Sequence, residues 1–146
     1  MNFEECIQFA TEHPTCSIAT VDGDQPRVRM FGLWFADKDG FYFGTPKTGN
    51  TCQQLMVNPK VELCFYVPPD TLSGQGAPMD LGKVMRASGT VEFLDDESLK
   101  QRMLAERPFL EPFIENTAII RVQKGEAWFW TSMDFMSDSA TERVRF

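Results

Sequence analysis

The chain has 146 residues, 42% of them hydrophobic, with 13 phenylalanines; that length suits one domain able to bury its apolar surface without staples, and that composition excludes long disorder. Net charge is −7, with acidic residues spread along the chain, which argues against a nucleic-acid footprint. The opening Met1-Asn2-Phe3-Glu4-Glu5-Cys6 has no basic stretch ahead of an apolar one, and nowhere do about 18 apolar residues run together, so a cytoplasmic location away from membranes is expected.

In chain order, Phe3, Cys6, Ile7 and Ala10 fall at i, i+3, i+4 and i+7 behind an Asn2 cap, predicting a short amphipathic helix that His13-Pro14 ends. Residues 16–21 are small and β-branched. Asp22-Gly23-Asp24 then turns the chain into a second strand at 27–35, and Asp37-Lys38-Asp39-Gly40 turns it into a third at 41–45. These three read as an antiparallel meander. A helix at about 49–57, burying Cys52, Leu55 and Met56, stops at Asn58-Pro59 before an alternating strand at 61–67.

Residues 68–82 gather Pro68, Pro69 and Pro78 with Gly74, Gly76 and Gly82 and read as a long loop. Further strands are expected at 84–94 and 117–131, the latter broken at Lys124-Gly125. Between them a helix capped by Asp95 or Asp96 carries Leu99, Met103 and Leu104. Six or seven strands, three small helices and tight turns point to a mainly β fold. Its form is an antiparallel barrel, closed or nearly so, because closure removes exposed edges. Cys6, Cys16, Cys52 and Cys64 are far apart with only His13 to assist, so neither a zinc site nor a redox dithiol is written here, and reduced, mostly buried thiols are expected.

Period-two alternation puts Arg27 and Arg29 on one face with Phe31, Leu33 and Phe35. Such cations at the mouth of an apolar face either meet an anion or form a solvated strand end. At Thr45-Pro46-Lys47-Thr48-Gly49-Asn50-Thr51 a strand runs into a helix start. Backbone N–H groups at Gly49, Asn50 and Thr51, the hydroxyls of Thr48 and Thr51, and the Lys47 ammonium there describe either a phosphate cradle or an ordinary helix cap. The Walker order of glycines and lysine is absent.

With Arg29 and Thr45 on adjacent strands of one predicted hairpin, the sequence resembles the pyridoxamine-phosphate oxidase-like family of FMN-binding split barrels. Residues 16–66 carry the register, through Arg29-Met30-Phe31-Gly32-Leu33-Trp34, Phe43-Gly44-Thr45, Gln54-Leu55 and Asn58-Pro59-Lys60-Val61. Gly89-Thr90-Val91-Glu92 and Trp128-Phe129-Trp130 extend it more loosely. The resemblance implies one split-barrel domain over 1–146 that pairs with a second copy and holds FMN at the seam. Arg29 would bind the phosphate, the backbone of Met30, Phe31 and Gly32 would line the isoalloxazine edge, and Thr45 and Gln54 would meet the cofactor. Trp130 would reach the partner's flavin. The family's oxidases carry a basic pair where this chain has Asn50 and Thr51, which leaves Lys47 and the helix start to supply the missing charge.

The end of the chain, Thr141-Glu142-Arg143-Val144-Arg145-Phe146, lacks the Arg-x-His pair with which the vitamin-making oxidases hold pyridoxal phosphate, so the likeness is to the family's reductase or stress-response branch. An FMN-dependent oxidoreductase acting on a small-molecule substrate is the implied activity, with no side-chain acid or base required. A flavin-binding or sensing module without turnover, and a related cofactor such as deazaflavin or haem in the same cleft, remain alternatives.

Overall fold

A computed structural model of the chain describes residues 1–69, 81–134, 136–137 and 141–146. Most of the loop expected at 68–82 lies outside the described residues. Helix α1 (Phe3–Glu12) begins with a reciprocal capping box, in which Asn2 accepts from the Glu5 N–H and Glu5 accepts from the Asn2 N–H. It buries Cys6, Phe9 and Ala10. Phe9, rather than Ile7, is the third buried residue.

Strands β1 (Thr15–Asp22) and β2 (Gln25–Gly32) form the expected hairpin, paired from Thr15↔Gly32 to Asp22↔Gln25. After Gly32 the meander fails. The Leu33 and Trp34 N–H groups turn to the carbonyls of Pro14 and Tyr42, so the run expected at 27–35 divides into β2 and a short β3 (Phe35–Asp37). β3 pairs with β4 (Gly40–Pro46), but β2 and β4 do not pair. Arg29 and Thr45 are therefore not on adjacent strands, and the two strands meet only through side chains, as where the Phe31 and Phe43 rings lie 5.5 Å apart.

Helix α2 (Asn50–Val57) buries Cys52 and Leu55, while Met56, expected inside, is 66% exposed. β5 (Lys60–Val67), β6 (Lys83–Leu94), β7 (Thr117–Thr131) and the two-residue β8 (Val144–Arg145) complete an antiparallel sheet of eight strands. Its order is β2-β1-β5-β6-β7-β4-β3, with β8 on β7. β7 is unbroken. A register shift between Ser88 and Thr90 absorbs the Lys124-Gly125 irregularity, with Lys124 at φ +52° and Gly125 so close to the Ser88 carbonyl that a Cβ would stand 1.7 Å from it. The two short strands carry too little pattern to be seen in the sequence, which accounts for the lower strand count expected.

The sheet curls round a core that includes Phe41, Phe43, Phe65, Leu63 and Ile120 from β4, β5 and β7, and α1 caps one end of it. Phe3 of α1 meets Phe41 edge-on at 5.6 Å and stacks on Phe146 at 4.6 Å, which ties the last residue of the chain to the first helix. A second, smaller core of Met103, Ile114 and Ile119 lies beneath α3 (Glu97–Glu106), capped by Asp96, and a 3₁₀ segment (Pro108–Asn116) that periodicity did not reveal. Among the described residues no helix is long and apolar enough to cross a membrane.

Candidate functional site

Arg29 faces inward because it opposes Ile18, which is fully buried, across the β1–β2 hairpin. On the same face of β1, two residues nearer the turn, stands Thr20, only 1% exposed. Arg29 Nη1 donates to Thr20 Oγ1 at 2.6 Å, and Nη2 donates to Gln54 Oε1 of α2 at 2.6 Å. The Thr20 hydroxyl in turn donates to Gln54 Oε1 at 2.7 Å. Burial first, and the Arg27 guanidinium second, pull the Arg29 pKa below the usual arginine value. Thr20 and Gln54 are both neutral partners for Arg29; Arg27 is the one that takes a carboxylate, Asp22 at 3.3 Å.

These side chains form one wall of an open groove of about 690 Å³ between the hairpin and α2, lined by Val21, Asp22, Arg27, Arg29, Asn50 and Gln54 among others. Helix α2 starts at its rim. Gly49 occupies the N-cap position with no side-chain bond, so the first N–H groups of the helix, those of Asn50 and Thr51, are open by the geometry of any helix start. The Gly49 N–H, expected to be free, instead closes a turn onto the Pro46 carbonyl at 3.0 Å.

Lys47 does not join Arg29. Its ammonium donates to the Glu115 carbonyl at 2.8 Å and its N–H to the Asn116 carbonyl at 2.7 Å, while Asn116 donates to the Thr48 hydroxyl at 3.3 Å. Lys47 and Thr48 thus stitch the β4–α2 turn to the end of the 3₁₀ segment, and Lys47 lines a different groove, of about 270 Å³, with Asp95, Asp96 and Lys100. Thr45 is buried against β7 and borders a third, apolar groove with Met103, Phe109 and Phe113. Of the β2 residues, Phe31 packs inward on Phe43, whereas Met30 is 64% exposed on the outer face and Gly32 has open space where a Cβ would stand. Trp130 is half-buried opposite Val84, on a strand four along the sheet from β2, and does not line the Arg29 groove.

The structure therefore brings Arg29, Asn50 and Gln54 together at one groove, with Thr51 following Asn50 in the helix start, and leaves Lys47 and Thr45 at other grooves. It adds Thr20, which the sequence signalled only as a polar residue in register with the inward Cys16 and Ile18. The cysteines take no part: burial, with Glu5 adding to it, pushes the Cys6 thiol up to about 11, and burial beside Cys64 pushes Cys16 up to about 12. Among the described residues no group of three or more His, Cys, Asp or Glu gathers as metal ligands.

A guanidinium held by neutral partners beside the open amides of a helix start is an anion site in chemical terms. The donors at this wall, the Arg29 guanidinium, the Gln54 amide and the helix-start N–H groups, fit a phosphate monoester, and the one carboxylate lining the groove, Asp22, is paired with Arg27. The family pattern described as pyridoxamine 5'-phosphate oxidase matches residues 3–131. Among solved structures, the chain is similar to a NimC/NimA family protein from Clostridium acetobutylicum, with 24% identity, TM-score 0.68, and coverage of 96% of this chain and 90% of that one. It is similar to General Stress Protein 26 from Bacillus anthracis at 17% identity and TM-score 0.70, over 99% and 98% of the two chains. It is also similar to HutZ, the haem storage protein from Vibrio cholerae, at 17% identity and TM-score 0.61, over 82% and 87%. No curated protein matches the sequence.

Proposed function

The chain belongs to the pyridoxamine 5'-phosphate oxidase family, whose split-barrel fold commonly binds flavin, and on that premise we propose that it is a cytoplasmic, homodimeric FMN-dependent oxidoreductase acting on a small-molecule substrate. One observation carries the reading: a partly desolvated guanidinium, Arg29, hydrogen-bonded to the neutral Thr20 and Gln54 in a groove that Asn50, the first residue of α2, also lines. A cation so placed lacks the compensation that desolvation calls for, and a phosphate supplies it.

Each residue has a definite task in this reading. Arg29 binds the phosphate by charge and direction, the Asn50 and Thr51 amides add the positive end of the helix, and Phe31 stiffens the strand that faces the ring system. Bound FMN supplies hydride transfer through N5, so the protein's part is orientation and exclusion of water. The exposed Val28 and Met30 of β2 and Met56 and Val57 of α2 lie on elements that border the groove, and a second copy covering them would enclose the ligand and bring Trp130 to it.

The test is the visible spectrum of purified protein offered FMN and desalted, together with its mass by sedimentation. Flavin bands on a dimer, bleached anaerobically by NADH or NADPH, support the reading. A colourless protein refutes it, a Soret band replaces flavin with haem, and a yellow protein that no pyridine nucleotide bleaches reduces the role to binding.

A further inference from the structure

We propose that Thr20 is a positioning residue that, with Gln54, clamps Arg29 in the one orientation able to receive a phosphate monoester, and that the amide group of Gln54 is itself a phosphate donor. The inference rests on the phosphate reading above and adds to it a residue and a set of hydrogen-bond directions.

Those directions follow from chemistry alone. A guanidinium has donors and no acceptor, so the Thr20 oxygen, 2.6 Å from Nη1, must accept from it. The hydroxyl proton is then left for Gln54 Oε1 at 2.7 Å, and that oxygen also accepts from Arg29 Nη2 at 2.6 Å. An oxygen taking two donors fixes which way the amide faces: Oε1 points into the triangle and Nε2 points out of it. No described residue accepts from Nε2, and Gln54 lines the groove.

The triangle joins three elements, β1, β2 and α2, so a long and flexible side chain is held before any ligand arrives. Preorganisation of that kind reduces the ordering required on binding. Arg29 keeps its Nε–H and one N–H on each terminal nitrogen for the ligand, and Gln54 adds two more. Neutral clamping partners matter as much as geometry. A carboxylate at position 54 would hold the guanidinium equally well but cancel its charge.

The experiment measures FMN and riboflavin affinities in parallel, because riboflavin lacks the phosphate. In Thr20→Val, which removes the hydroxyl at nearly constant volume, FMN affinity falls about tenfold while riboflavin affinity stays within about twofold, and Thr20→Ser restores the wild-type ratio. Gln54→Glu, on a partly exposed helix face, lowers FMN affinity by about a hundredfold with riboflavin again unaffected, and it serves as the test should Thr20→Val not fold. A purely structural role would weaken both flavins together. If the wild type prefers FMN over riboflavin and both variants keep that preference, the clamp is refuted and the phosphate reading stands. If the wild type shows no preference, both fall.

Discussion

Replacing Arg29 with Ala tests the anion site most directly. Two of the guanidinium's N–H groups are engaged, one by Thr20 and one by Gln54, each at 2.6 Å. Since a guanidinium carries five donors in a fixed fork, three remain beyond those two on a charged side chain that lines the groove. A charge-assisted hydrogen bond contributes about 1.5–3 kcal/mol, and each 1.4 kcal/mol is tenfold in affinity, so FMN binding in Arg29→Ala should weaken about ten- to a hundredfold. The groove wall should survive the change. Thr20 still donates to Gln54 at 2.7 Å, and water can reach the freed oxygens from the open groove. Quenching of flavin fluorescence at fixed ionic strength, with FMN and riboflavin titrated side by side, reads the effect. An unchanged FMN affinity refutes the reasoning, and so does an equal loss for both flavins, which would mean that Arg29 shapes the groove without meeting a phosphate.

Lys47→Ala should leave FMN affinity within about threefold in the same titration, because the ammonium is bound to the Glu115 carbonyl on the far side of the turn, and the Coulomb term from a solvated charge in another groove is small. Gly125→Ala should lower thermal stability by about 3 kcal/mol or more, on the order of 10 °C in a calorimetric melt, since its Cβ would stand 1.7 Å from the Ser88 carbonyl oxygen and the two longest strands would have to separate there. The buried thiols predict an alkaline loss of stability. Cys6 and Cys16 stay protonated in the folded chain up to about 11 and about 12, whereas unfolded thiols ionise near 9.0, so their contribution is complete below about pH 9 and is lost as the pH rises through the folded values. Urea midpoints of the wild type and of Cys16→Ala, compared from pH 8 to 11, check the sign, for the variant should show the shallower decline.

The elements legible in the sequence were those whose pattern and punctuation agree. Asn2 with Glu5 announces α1, Asp22-Gly23-Asp24 the first hairpin, and Asn58-Pro59 the end of α2. What escaped was set by contacts distant along the chain. Nothing local tells that Leu33 and Trp34 leave the sheet for Pro14 and Tyr42, yet that departure removes β2 from β4 and parts Arg29 from Thr45. In the site, Arg29, Asn50 and Thr51 stand out by residue type and spacing, and Gln54 by the family resemblance. Lys47 could not be excluded, because a carbonyl 68 residues away claims its ammonium, and Thr20 looks in sequence like any β-branched strand residue.

The clamp also explains why an arginine stands at position 29, and Arg29→Lys tests that explanation. A lysine ammonium carries the same charge but only three donors, arranged as a tetrahedron on one atom. Satisfying Thr20 and Gln54 as the guanidinium does would leave a single N–H for a ligand; turning toward the ligand would abandon Thr20, which is 1% exposed and, among the described residues, has no other side-chain partner for its oxygen than those of this triangle. Either choice forfeits part of what the planar fork does at once. Arg29→Lys should therefore bind FMN about tenfold more weakly than the wild type. It should keep the salt dependence that a cation confers, while Arg29→Ala loses it. Wild-type affinity in Arg29→Lys would mean that charge alone holds the phosphate, and the fork-shaped contact would have to be given up.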